Sequence, residues 1–208
     1  MHTKQMITAG VSLDKAGKAL IMIHGRGANA EDILSLAEHL EVNDFALVAL
    51  QATNNTWYPY SFVAPVAQNE PWLSSALSVI KEVVADINAQ GIADENIYFL
   101  GFSQGACLSL EYVARHATRY GGVIAFSGGL IGDKIYPENY TGNFDGTPLF
   151  IGSSNPDFHI PVPRVYASAN ILKDMGADVT EKLYDNMGHT INGEELNYAN
   201  AILNKHQS

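Results

Sequence analysis

Short, almost continuous apolar runs recur along the chain, separated by longer stretches in which apolar residues return every three or four positions. "KALIMIH" (18–24), "FALVALQA" (45–52), "NIYFLGF" (96–102), "GGVIAFSG" (121–128) and "TPLFIGS" (147–153) read as strands. Strands this apolar are covered on both faces, as in a parallel sheet between two layers of helix. "VTEKLYD" (179–185) alternates polar and apolar residues and predicts a strand nearer an edge. "MITAGVSL" (6–13), ahead of the turn-like "DKAGK", reads as an antiparallel strand pairing with the first central one, 18–24.

Apolar spacing of three and four predicts helices near 30–41, 70–90, 104–118, 163–175 and 192–205. Strands alternating with helices make an α/β architecture with a mostly parallel central sheet. A chain of 208 residues supports one sizeable core, so residues 1–208 are expected to form a single three-layer domain. Three segments, 53–69, 128–146 and 153–162, fit neither periodicity, and each follows a predicted strand. Loops at the carboxyl ends of parallel strands are where such sheets build their sites.

Composition narrows the function classes. Hydrophobic residues make up 47% of the chain and charged residues 16%, which suits a globular domain and argues against disorder. No apolar run approaches the roughly 20 residues of a membrane-spanning helix, and the first twenty residues lack a leader pattern. Those observations predict a cytoplasmic protein with no stable membrane insertion. A net charge of −10 repels phosphate backbones, so nucleic acid is not an expected partner. The single cysteine, Cys107, excludes an internal disulfide and a thiolate-rich metal site; it reads as a small apolar residue on a helix face.

The candidate chemistry begins at "FLGFSQGA" (99–106). Gly101-Phe102-Ser103-Gln104-Gly105 matches G-x-S-x-G between a predicted strand and a predicted helix. A sharp strand-to-helix turn holds the serine in a strained conformation, and side chains at the flanking glycines would clash. The helix start adds backbone N–H groups and a partial positive charge beside Ser103. "IHGRGAN" (23–29) follows the first apolar strand and could offer a further backbone N–H to a developing oxyanion, or serve only as a tight turn. It carries no nucleotide-binding glycine pattern.

A serine nucleophile needs a base and an orienting acid. Of the seven histidines, His2 and His206 lie near the termini and His39 and His116 in predicted helices, and all four read as solvated. His189, in "YDNMGHTIN" just after the last predicted strand, belongs at the same sheet edge as Ser103. Asp157, in "SSNPDFHIP", follows the strand ending near Gly152 and completes the chain order serine, acid, histidine. Asp185 is the rival acid, four residues from His189 and better read as a strand end. His24 and His159 raise a metal reading with Asp157, but Asp-x-His matches no strong ligand motif, so no metal is expected.

The motifs "IHGRGAN", "LGFSQGA", "DFHIP" and "MGHTIN", in this order, resemble the phospholipase/carboxylesterase family of α/β-hydrolases, which includes acyl-protein thioesterases. The resemblance spans nearly the whole chain and implies an α/β-hydrolase fold with no large lid. By position it implies Ser103 as nucleophile, Asp157 as acid and His189 as base, with the backbone amides of Arg26 and Gln104 as oxyanion donors. The chain departs from the family where Ile151-Gly152-Ser153-Ser154 precede the acid and Phe158 follows it. Arg26 stands where thioesterase members often have an apolar residue; its side chain either contacts a polar or anionic substrate group or is tied down by a nearby acid, the default for surface arginines.

These assignments predict a serine hydrolase of carboxylic ester, thioester or lysophospholipid bonds, acting without a cofactor on a small-molecule substrate. Dienelactone-hydrolase-like or peptidase activity on the same scaffold, or a non-catalytic binding module, are the rival readings, and a homodimer is compatible with any of them. "NNTWYPYSFVAPVAQNEPW" (54–72) supplies Trp57, Tyr58, Tyr60, Phe62 and Trp72 as walls for a substrate pocket, or as a hydrophobic cluster under a long loop. Met187, beside Gly188, is a further pocket candidate.

Overall fold

A computed structural model describes residues 1–204. Seven strands form one sheet: β1 (Met6–Gly10), β2 (Lys18–Ile23), β3 (Phe45–Leu50), β4 (Ile97–Phe102), β5 (Gly122–Phe126), β6 (Pro148–Asn155) and β7 (Asp178–Asp185). Their spatial order is β1-β3-β2-β4-β5-β6-β7. All neighbouring pairs are parallel except β1 with β3.

The five central strands, β2 to β6, are buried on both faces, and their alternation divides the core in two. Ala19, Ile21 and Ile23 of β2 face one layer, with Val48 of β3 and Phe99 of β4. Leu20 and Met22 face the other, with Leu47 and Leu100. The first layer is completed by helices α3 (Trp72–Ala89), α4 (Gln104–Arg115) and α5 (Val162–Asp174). The second is completed by α1 (Ala30–Leu34) and α6 (Gly193–Leu203); a short α2 (Val66–Asn69) lies in the segment after β3. This is the three-layer, mostly parallel α/β sandwich that the apolar runs predict.

Two details correct the sequence reading. β1 pairs with β3, Met6 opposite Leu50 and Gly10 opposite Ala46, and not with the strand at 18–24. Both edges of β2 are already taken, by β3 and β4, so the first strand has to cross to the outer edge of β3. The helix expected over 30–41 is one turn of α-helix, capped by reciprocal Asn29 and Asp32 bonds, followed by a 3-10 turn at Ser35–His39. α6 ends at Leu203, and the last residue of the helix expected at 192–205 lies outside the described residues, as does His206.

Candidate active site

Ser103 lies at the tip of the turn from β4 into α4 with φ 53° and ψ −116°, a left-handed conformation that costs a non-glycine residue about 1–3 kcal/mol. The surroundings enforce it. A Cβ on Gly101 would sit 2.4 Å from the backbone of Gly105, and one on Gly105 would sit 2.0 Å from the Ile23 carbonyl. Only glycine lets β4, α4 and the end of β2 approach this closely. The Ser103 N–H donates to the Phe126 carbonyl at 2.9 Å, locking the turn to β5.

The loops after β6 and β7 converge on this serine. His189 Nε2 lies 2.8 Å from Ser103 Oγ, and His189 Nδ1 lies 2.8 Å from Asp157 Oδ2. The Asp157 carboxylate is buried, and its Oδ1 accepts the backbone N–H groups of His159 and Ile160. Burial alone would push this carboxyl's pKa up; the bonds from His189, His159 and Ile160 outweigh it and hold the pKa below the ordinary value. The histidine loop is anchored where the Gly188 N–H donates to the buried Ser154 hydroxyl at 2.9 Å. The Phe102 and His159 rings flank the imidazole, at 5.1 and 4.8 Å between centroids.

A cavity of about 730 Å³ opens beside Ser103 and His189. Its wall is the segment after β3, carrying Tyr58, Tyr60 and Phe62, faced by Phe158, Ile160 and Pro161 from the acid loop. Gln104 pins this wall: its Oε1 accepts the Trp57 N–H and its Nε2 donates to the Tyr58 carbonyl, both at 2.8 Å. Buried Asn69 does the same further along, accepting from the Tyr60 N–H and donating to the Ser61 carbonyl. Among the described residues the Arg26 N–H has no partner, and Gln104, as the first residue of α4, has no carbonyl one turn earlier in the helix to receive its N–H.

Other expected positions move. Trp57 does not line this cavity: it is fully buried, its indole N–H donating to the His24 carbonyl at 3.0 Å. Trp72 borders a separate, smaller hollow with Tyr58. Met187 also stays out of the cavity, its sulfur accepting from the Asn192 amide. His2 is buried, not solvated; its Nε2 lies 2.8 Å from the Trp57 carbonyl and its Nδ1 accepts from the Thr53 N–H. Among the described residues Arg26 meets no acid: Nη1 donates to the Pro59 carbonyl and Nη2 to the Tyr60 carbonyl. His24 is buried with Nδ1 on the Gly25 carbonyl, and Asp185 is exposed at the end of β7. Burial pushes the Cys107 thiol up to about 12, so it stays neutral although it borders the cavity.

Sequence reasoning missed the two tethers and Glu195. This glutamate is wholly buried under the histidine loop, one oxygen accepting the Asn192 N–H and the other without a partner among the described residues. The spacing of Asn192 and Glu195, a capping box at the start of α6, was a readable signal for it.

A sequence profile described as Phospholipase/Carboxylesterase matches residues 6–207. The chain belongs to the phospholipase/carboxylesterase family. It is 32% identical over 133 residues to a probable carboxylesterase SOBER1-like protein of Arabidopsis thaliana, covering 62% of this chain and 51% of that one. It is 34% identical over 117 residues to acyl-protein thioesterase 1 of Gibberella zeae, covering 55% and 50%. These matches therefore span about half the length of either curated relative. The crystal structure of a phospholipase/carboxylesterase from Dyadobacter fermentans superposes with a TM-score of 0.96 at 56% identity, covering 97% of both chains. The α/β-hydrolase fold expected of the family is the fold found here. Among the described residues no helix is long and apolar enough to cross a membrane.

Proposed function

We propose that this member of the phospholipase/carboxylesterase family hydrolyses small-molecule carboxylic esters or thioesters through Ser103, His189 and Asp157. The observation that carries the reading is the unbroken chain of two 2.8 Å hydrogen bonds from Ser103 through His189 to Asp157. His189 Nε2 takes the Ser103 proton as Oγ bonds to the acyl carbon. Asp157 fixes the tautomer with its proton on Nδ1 and stabilises the imidazolium that forms. The amides of Arg26 and Gln104 receive the tetrahedral oxyanion. Collapse expels the alcohol or thiol, protonated by His189, and leaves an acyl-serine. A water deprotonated by His189 then releases the acid and restores Ser103.

A cavity of about 730 Å³ falls within the range that encloses a small-molecule ligand. Labelling by a fluorophosphonate tests the reading against a binding module that retains the fold. Labelling of the wild type, lost in Ser103→Ala and sharply slowed in His189→Ala, is the expected result. A folded protein that resists the reagent overturns the reading. A chain-length series of p-nitrophenyl esters and matched thioesters then assigns the acyl preference and the choice between ester and thioester.

A further inference from the structure

The cavity beside Ser103 carries a cation in a chain whose net charge is −10. Its lining includes Arg26 and, among the described residues, no aspartate or glutamate. Asp157 does not line the cavity; it lies behind His189, its oxygens bonded to that imidazole and to the His159 and Ile160 N–H groups.

Arg26 is held without being neutralised. Its Nη1 donates to the Pro59 carbonyl at 2.9 Å and its Nη2 to the Tyr60 carbonyl at 2.7 Å. Neither acceptor carries a formal charge, and no ion pair among the described residues involves Arg26. A guanidinium has five N–H donors in a planar fork, so two carbonyl bonds leave others for an incoming planar anion. Because those bonds already fix the group, an anion docking on it loses less side-chain entropy than it would on a free arginine. Beside it, Tyr58 lines the same cavity with a buried hydroxyl that has no oxygen or nitrogen partner among the described residues. The positive charge of Arg26 reaches this phenol and partly opposes the effect of its burial.

We propose that the site selects esters bearing a carboxylate, which Arg26 binds while Ser103 attacks the ester carbonyl. The proposal rests on the hydrolase reading above and names its substrate class. An apolar chain would pack on Tyr60, Phe62 and Ile160, with the carboxylate at the guanidinium.

The test compares mono-p-nitrophenyl adipate with p-nitrophenyl hexanoate, equal in acyl length and differing in the terminal carboxylate. A second arm compares 4-carboxyphenyl hexanoate with phenyl hexanoate and places the carboxylate on the leaving group. In one arm or the other, the anionic-to-neutral ratio of kcat/KM should fall about tenfold in Arg26→Gln, as for loss of a charged hydrogen bond, and survive in part in Arg26→Lys. Taking the ratio cancels any change in turnover that follows from altering position 26. Added salt should shrink the wild-type preference. An unchanged ratio in both arms overturns the proposal. So does a parallel loss on anionic and neutral esters, which would mean that the side chain only braces the wall. Failure of the hydrolase reading shows separately, as absence of fluorophosphonate labelling and of turnover on every ester. In that case calorimetry on Ser103→Ala decides the anion site. Tighter binding of the adipate monoester than of the hexanoate, lost when Arg26→Gln is added, supports it, and equal binding overturns it.

Discussion

The carboxylate of Asp157 lies 2.8 Å from His189 Nδ1 and is closed off from solvent, whereas Asp185, four residues before that histidine, is exposed and accepts from the Asn155 amide at 3.5 Å. On the proposed mechanism, Asp157→Asn presents the wrong tautomer to Ser103 and should lower kcat by about 10⁴. Asp185→Asn should change it less than about twofold, the scale of a surface substitution. Steady-state kinetics on a p-nitrophenyl ester, with melting curves to establish folding, decides between the two acids; the reverse ranking would move the acid to Asp185.

The close approach at the elbow leads to a stability prediction. A methyl at Gly105 would meet the Ile23 and His24 carbonyls, which belong to backbone and cannot swing aside. Gly105→Ala should cost on the order of 1–3 kcal/mol or more in urea denaturation, with turnover falling as Ser103 shifts. At Gly27, φ is 79° and nothing lies within 4 Å of an added Cβ, so Gly27→Ala should cost only about 1 kcal/mol of backbone strain. Equal costs at the two positions would rule out the steric account.

Two aromatic residues three positions apart should behave oppositely. Trp57→Ala empties a buried site and should cost about 3–5 kcal/mol of stability. Tyr60, 56% exposed on the cavity wall, contributes its side chain to the binding surface instead. Tyr60→Ala should leave the melting temperature nearly unchanged and raise KM roughly fivefold for longer acyl chains, corresponding to about 1 kcal/mol of lost apolar contact. A Trp57→Ala protein of native stability with an altered acyl preference would return Trp57 to the pocket wall.

Burial pushes the Glu195 carboxyl from its ordinary 4.5 up to about 7. Between those two values the folded protein holds a proton that the unfolded chain has released. Stability from this group therefore falls as the pH rises through that window, by on the order of 3 kcal/mol, and levels off above it. Glu195→Gln keeps an acceptor for the Asn192 N–H but does not titrate. Urea denaturation at pH 5 and pH 8 should show a much smaller pH difference in the variant; the same difference in both proteins would remove Glu195 as its source.

The positions that could be read from the sequence are those where chemistry or geometry permits few residue types. Glycines two residues either side of Ser103 are demanded by contacts of 2.4 Å and below, so the elbow is visible in five letters. Asp157 and His189 could be placed at the same sheet edge as Ser103 because each follows a strand that the sequence predicts. Trp57 stays open between pocket wall and buried cluster in the sequence because an aromatic residue signals burial without saying against what; its indole turns toward His24 and not the cavity. The acceptors of Arg26 were hidden for a simpler reason: they are backbone carbonyls, which every residue carries. The partner of β1 depended on which edges remained free once β2, β3 and β4 had assembled, and no local pattern encodes that.

Gln104 bonds through its side chain to two successive residues of the wall, while its backbone forms the first turn behind Ser103. The cavity wall and the turn that carries Ser103 are thus stitched together by one amide. Chimeras that import a relative's 53–69 segment should keep their reactivity only where the transplanted backbone presents an N–H and a carbonyl to that glutamine in the same register.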